Sequence, residues 1–66
     1  MMTLRDLDQL EAAIISNADC LIRLRILQAK TANYQARVYL DEAQRQAEFI
    51  RDRLNDALND LLRVLK

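Results

Sequence analysis

The chain contains neither glycine nor proline in its 66 residues, and this absence constrains the fold more than any other feature. Tight turns and long loops usually depend on those two residues, so a sheet with its connecting turns is disfavoured. Alanine, leucine, arginine and glutamine recur throughout and are good helix formers. With 52% apolar and 30% charged residues, the composition can supply a core and differs from that of a disordered chain. We therefore predict an all-α protein.

A first helix is predicted from about residue 4 to about residue 30. Thr3 is a suitable N-cap, and Asp6, three residues later, completes a capping box. Met2 and Leu7 occupy the positions of a hydrophobic staple. The narrow inward stripe of this helix has the three- and four-residue spacing of a packed helix face. It consists of Leu7, Leu10, Ile14, Asn17, Leu21, Leu24 and Gln28.

A second helix is predicted from about residue 34 to residue 66, after a turn at about 31–33. Its stripe is out of phase with the first, so the helix must be interrupted between the two. Thr31 and Asn33 are the best residues for this interruption, because both cap helices and asparagine tolerates the left-handed conformation. The second stripe consists of Ala36, Leu40, Ala43, Ala47, Ile50, Leu54, Ala57, Leu61 and Val64.

The two stripes mirror each other about Ala32, which favours an antiparallel helical hairpin as one domain of residues 1–66. Folding there places Asn17 opposite Ala47 and Leu10 opposite Leu54, and several large residues face small ones. One alternative remains open. A heptad also continues from Ile15 into the second half, so a short helix followed by one long helix to residue 66 is compatible with the same sequence.

A hairpin of this size leaves apolar faces that it cannot cover itself. A domain of about 60 residues buries only about 60% of its unfolded surface, and exposed apolar stripes usually mark interfaces. We therefore expect a homodimer, as a four-helix bundle or coiled coil. The predicted dimer interface comprises Ile15, Ala18, Ile22, Ile26, Ala29, Leu58, Leu62 and Leu65.

Residues for catalysis are scarce. The chain has no histidine to act as a base near neutral pH, and its one serine, Ser16, has no base partner. The carboxylates mostly lie within one helical turn of an arginine or lysine, as on a solvated helix face. A phosphate loop needs glycine, and a structural zinc site needs about four ligands. We expect no enzyme activity, cofactor, metal site or small-molecule ligand.

The single cysteine, Cys20, is expected to be a buried, inert thiol, with an intermolecular disulfide or redox sensing as the alternative. The longest uncharged run, residues 12–18, falls well short of the roughly 20 residues of a membrane span. The first eleven residues contain three acids and do not look like a secretory signal. The expected location is the cytoplasm.

A basic stretch that contains both tyrosines is the best candidate for a binding surface. Residues 20–40 hold four basic residues and no acidic one, and in a hairpin this charge lies near the turn. Arginine and tyrosine are enriched in binding hot spots. The alternative is that the tyrosines pack partly on the core and the arginines are merely solvated. The predicted partner-binding residues are Tyr39, Arg37, Tyr34, Lys30, Arg25 and Arg23.

Three functions are compatible with these features: a modulator that binds a regulatory protein, a nucleic-acid-binding dimer, and a structural coiled-coil subunit of an assembly. The stripe of Ala36, Ala43, Ala47 and Ala57 is similar in plan to that of the Rop family of plasmid copy-number regulators, which are hairpin dimers that grip paired RNA loops. The similarity is architectural, and no RNA-contact motif carries over.

The short, arginine-rich helical chain also resembles phage-encoded anti-activators that block quorum-sensing regulators of the host. Its size, its helicity and Tyr39 in a basic setting carry this resemblance, which spans the whole chain without a specific motif. The resemblance implies that the partner is a LuxR-type transcription factor and that binding occludes its contact with DNA.

Overall fold

The computed structural model describes residues 3–65 and shows two helices joined by a three-residue connection. α1 comprises Leu4–Lys30 and α2 comprises Tyr34–Leu65. The helices pack against each other, so the predicted all-α hairpin is confirmed and the long-helix alternative is wrong. The molecule is a rod of 48 × 15 × 15 Å, and its long axis matches a helix of about 32 residues that rises about 1.5 Å per residue.

The start of α1 has the predicted capping box. The Thr3 hydroxyl accepts a hydrogen bond from the Asp6 backbone N–H at 3.3 Å, and the Asp6 carboxylate accepts one from the Thr3 N–H at 2.9 Å. Two of the backbone donors that a helix N-terminus leaves unpaired are thereby satisfied. Met2, the other half of the predicted hydrophobic staple, lies outside the described residues.

Side chains of the connection close one helix and open the next. The backbone N–H and the hydroxyl of Thr31 both donate to the Leu27 carbonyl, at 2.9 and 2.7 Å. The Asn33 side-chain oxygen then accepts from the Ala36 N–H at 3.0 Å, which is an N-cap contact for α2. Asn33 therefore acts through its side chain, and no described residue adopts a positive φ.

The inward stripe of α1 is the one predicted from its spacing. Its members are half-buried, and Leu21 is buried at 6% exposure. Across the seam, the Asn17 side-chain amide donates to the Ala47 carbonyl at 3.1 Å, so the predicted opposition of these two residues is confirmed. Ala47 is also 6% exposed, and together with Leu21 it forms the centre of the core in the described part of the chain.

The predicted inward stripe of α2 is wrong at Ala43, Ile50, Ala57 and Val64, which are exposed. Its other members, Ala36, Leu40, Ala47, Leu54 and Leu61, are buried or half-buried, and Gln44 and Leu58 are half-buried where Ala43 and Ala57 were expected. Ile50 is 50% exposed and Val64 is 81% exposed. Two stripes of the same three- and four-residue spacing share Leu40, Ala47, Leu54 and Leu61. One stripe adds the apolar Ala43, Ile50 and Ala57, and the other adds Gln44, Arg51 and Leu58. Hydrophobicity alone selects the stripe through Ala43 and Ile50, whereas in the structure Gln44 and Leu58 are half-buried.

Gln44 generates a stability prediction, because it brings a polar group into this seam. Its amide nitrogen donates to the Glu48 carboxylate at 3.3 Å, while its buried oxygen has no hydrogen-bond partner among the described residues. An unsatisfied buried acceptor costs about 1–3 kcal/mol. Gln44→Leu should therefore raise the free energy of unfolding by about 1 kcal/mol in urea titrations. Gln46→Leu, at an exposed position of the same helix, is the matched control and should change it by less than about 0.5 kcal/mol. A Gln44→Leu variant less stable than wild type would contradict this account.

The Asn33 cap generates a second prediction. Asn33→Ala removes the side-chain oxygen that accepts a hydrogen bond from the Ala36 N–H in the first turn of α2. It should lower the free energy of unfolding by about 1 kcal/mol. Thermal melts followed by circular dichroism would measure this. Asn59→Ala, at an exposed site inside α2, is the control and should be neutral or slightly stabilising, because alanine is the better helix former. Equal effects of both substitutions would show that the cap contributes nothing.

Candidate interaction surfaces

The packing seam defines a heptad position for every residue of the hairpin. We assign the letters a and d to the positions that face the other helix. In α1, Leu21 is at a and Asn17 is at d, and in α2, Gln44 is at a and Ala47 is at d. In an antiparallel pair of right-handed helices, the g positions of both helices lie on one side of the seam and the e positions lie on the other. The hairpin therefore has a g flank and an e flank.

The g flank is almost entirely apolar. Its Leu27 and Ile50 are each 50% exposed, and its other members are exposed except for Ala36 and Asp6, which are half-buried. Asp6, in the capping box at the open end, is its one charged residue. The g flank comprises Asp6, Ala13, Cys20, Leu27, Ala36, Ala43, Ile50, Ala57 and Val64.

Cys20 belongs to this flank and is exposed. The expectation of a buried thiol is therefore wrong for the single chain. Cys20 precedes the buried Leu21, so it lies beside the seam and not within it. Its apolar surroundings in the sequence are those of a helix flank.

The e flank is mixed in character. Charged and apolar residues alternate along its α1 part, whereas its α2 part has three consecutive polar members, of which Asp41 pairs with Arg45 at 3.1 Å. The e flank comprises Leu4, Glu11, Ala18, Arg25, Tyr34, Asp41, Glu48, Asn55 and Leu62. Since e and g positions both border the seam, the difference between the flanks is a property of this sequence and not of the hairpin architecture.

The residues predicted for the dimer interface share one face on α1, at the adjacent b, e and f positions, but those on α2 do not continue it as a single face. Ile15 and Ile22 occupy b positions and are 69% and 55% exposed, whereas Ile26 lies at f, on the side of α1 away from α2. Ala29 is also at b, and Ala18 and Leu62 belong to the e flank. Leu58 is half-buried at an a position and faces α1 within the same chain. The side chain of Leu65 lies outside the described part of the structure.

Both tyrosines are exposed, Tyr34 at 79% and Tyr39 at 62%. The alternative that they pack partly on the core is therefore not what the single chain shows. The basic residues near them are less uniform than the sequence suggests. Arg23 forms an ion pair with Asp19 at 2.9 Å, one helical turn away and just outside the acid-free stretch. Its positive charge is thus partly compensated.

The six residues predicted to bind a partner divide between the two sides of the hairpin. Tyr39, Arg23 and Lys30 occupy c positions, which border the g flank. Tyr34 and Arg25 lie on the opposite, e flank, and Arg37 is at an exposed a position close to the turn. Since a rigid partner meets one side of a rod at a time, we take the group around Tyr39 as the stronger candidate.

Phe49 is an exposed aromatic residue that our sequence analysis missed. It is 60% exposed at an f position of α2, and the Arg53 guanidinium lies 5.1 Å from its ring centroid. A shallow apolar groove beside it is lined by Arg45, Gln46, Phe49 and Ile50. The signal was available in the sequence, because Phe49 is two residues from Ala47 and so points away from the seam.

No cluster of three or more potential metal ligands occurs among the described residues. Within the same part of the chain, neither helix combines the length and apolarity needed to cross a membrane. Comparisons with protein-family models, with curated proteins and with solved structures found no match to this chain.

Proposed function

We propose that this chain is a non-enzymatic interaction protein that works as a homodimer and binds a regulatory protein through the surface around Tyr39. The observation that carries the proposal is the 62% exposure of Tyr39 on the same side of the hairpin as Arg23 and Lys30. A tyrosine ring adds contact area at low entropic cost, and its hydroxyl adds one directional hydrogen bond. Basic side chains near it favour a partner with an acidic surface.

The homodimer is supported by how little the single chain buries. Leu21 and Ala47 are the only residues with a buried side chain in the described part of the chain, and no side chain there is fully buried. The radius of gyration is 15.2 Å, against about 11 Å for a compact domain of this length. An association that covers one side of the rod would supply the missing burial.

The resemblance to phage-encoded anti-activators makes a LuxR-type transcription factor the first partner to test. On this proposal the protein acts in the cytoplasm of a bacterium or of a phage-infected cell, where it occludes the DNA-binding surface of the regulator. A DNA-binding surface engages phosphates through basic residues. Arg23 and Lys30 would therefore contact an acidic region beside that surface, while the body of the hairpin blocks access to DNA.

Tyr39→Ala should weaken binding about thirtyfold, or by about 2 kcal/mol, because a hot-spot side chain loses its packing and its hydrogen bond on truncation. Isothermal titration calorimetry against a purified LuxR-type regulator would measure this. Tyr34→Ala is the matched control, since Tyr34 is the more exposed tyrosine but lies on the opposite flank, and it should change the affinity less than about threefold. Circular dichroism should show the same helicity for both variants.

A Tyr39→Ala variant that binds as tightly as wild type would contradict the proposed surface. Salt dependence tests the kind of partner. A protein partner steered by two or three basic residues should bind only moderately more weakly as salt increases. A nucleic-acid partner would instead give a steep logarithmic loss with several phosphates engaged, and nuclease treatment would abolish its capture. That outcome would favour the Rop-like alternative.

A further inference from the structure

Most residues of the apolar g flank are exposed in the single chain, because no other part of that chain packs over them. From its composition and from the area that the hairpin leaves accessible, we infer that the g flank of one chain packs against the g flank of a second copy, forming a four-helix bundle. This inference rests on the proposed homodimer and names its interface. It differs from the interface expected from the sequence, which comprises b, e and f positions of α1 together with Leu58, Leu62 and Leu65 of α2.

In both helices the apolar residues extend from the seam onto the g flank. A two-stranded coiled coil needs apolar residues only at a and d, and its e and g positions are usually charged. A helix in a bundle is apolar at a, d and one flanking position, and α1 largely follows this pattern with g as the flanking position. α2 is apolar at d and g, while its a residues Arg37, Gln44 and Arg51 are polar. Alanines at 13, 43 and 57 permit close approach, and Leu27 and Ile50 supply the larger side chains.

The accessible area favours a partner of substantial size. The chain exposes 5513 Å² for a mass of 7.7 kDa. A compact monomer of that mass exposes about 4,300 Å², so the hairpin carries about 1,200 Å² of excess surface. A standard interface buries about 800 Å² on each partner, and obligate homodimers bury more. Covering one flank of the rod along its length would therefore bring the chain into the usual range.

A second copy fits this flank because a two-fold interface sets the same patch against itself. The e flank would be costly to cover in this way, because its charged residues, Glu11, Arg25, Asp41 and Glu48, would lose water on burial. On the g flank, only Asp6 at the open end is charged. Self-association through g leaves the b, c and f positions at the surface, so Tyr39 remains at the margin of the dimer and available to a partner.

Two isoleucines of nearly equal exposure make a matched test. Ile50 on the g flank is 50% exposed, and Ile22 at a b position is 55% exposed. Ile50→Asp should weaken dimerisation at least a hundredfold in sedimentation equilibrium, because it brings two carboxylates into a two-fold interface. Ile22→Asp should leave the dissociation constant within about threefold of wild type. Circular dichroism would establish that both variants are helical.

Cys20 provides a second measurement on a chain with an unaltered interface, should Ile50→Asp fail to fold. Since Cys20 is exposed in the single chain and belongs to the g flank, its alkylation by iodoacetamide should slow at least tenfold as the protein concentration rises through the dimer range. The control is Ala12→Cys in a Cys20→Ala background, because position 12 is an exposed f position, and its alkylation rate should not depend on concentration.

The outcomes separate this inference from the proposed function. A wild-type chain that stays monomeric at high micromolar concentration would overturn both the homodimer and the g-flank interface. A dimer that Ile22→Asp dissociates, and in which Cys20 stays reactive, would overturn the g-flank interface alone and favour the interface expected from the sequence. Binding through Tyr39 is measured independently and stands or falls on the tyrosine variants.

Discussion

The single seam between α1 and α2 is the interaction on which the rest of the structure depends. Two helices present only one face to each other, so each residue of the seam has neighbours on one side and solvent within reach on the other. Even at its centre, Leu21 and Ala47 keep 6% of their surface exposed. Truncating a buried leucine costs about 2–5 kcal/mol, which is a large fraction of the stability of a small domain. A single truncation in the seam is therefore expected to remove a large part of the free energy of unfolding.

Polar groups in the seam restrict how the helices align. The Asn17 amide donates to the backbone carbonyl of Ala47, and a shift by one heptad would set Asn17 against the larger side chain of Leu40 or Leu54 in place of the alanine. A polar residue within the seam can fix register in coiled coils while lowering stability, and the half-buried Asn17 occupies such a position. The side-chain oxygen of Gln44 has no hydrogen-bond partner among the described residues. Gln44 therefore lowers the stability of the seam, and it forms no bond between the helices that would fix their alignment. The two residues show that polarity in a core has to be assessed bond by bond.

The class of fold and the start of α1 could be predicted because they depend on local chemistry. The side chains of Thr3 and Asp6 each accept a hydrogen bond from the backbone N–H of the other residue. Both residues lie within four positions, so no distant contact is needed to identify a capping box. The inward face of α2 could not be predicted in the same way. Ala43 and Gln44 are adjacent, and which of them turns inward depends on the rotation of α2 that the connection and α1 impose. Hydrophobicity favours Ala43 over Gln44, and the predicted stripe therefore lies one position away from the observed one on alternate turns.

That rotation also determines which of the candidate site residues lie on the same side of the hairpin. Sequence proximity grouped Tyr34 with Tyr39, yet five residues along a helix correspond to a rotation of about 140° beyond a full turn, so the two rings lie on different sides. The same geometry moves Leu58 into the seam and exposes Ile50 on the g flank. A displacement of one residue in the seam thus decides which apolar side chains stabilise the hairpin and which are left for another molecule. In a protein with a single packing seam, the rotation of the helices that selects the core residues also selects the apolar residues of the interaction surface.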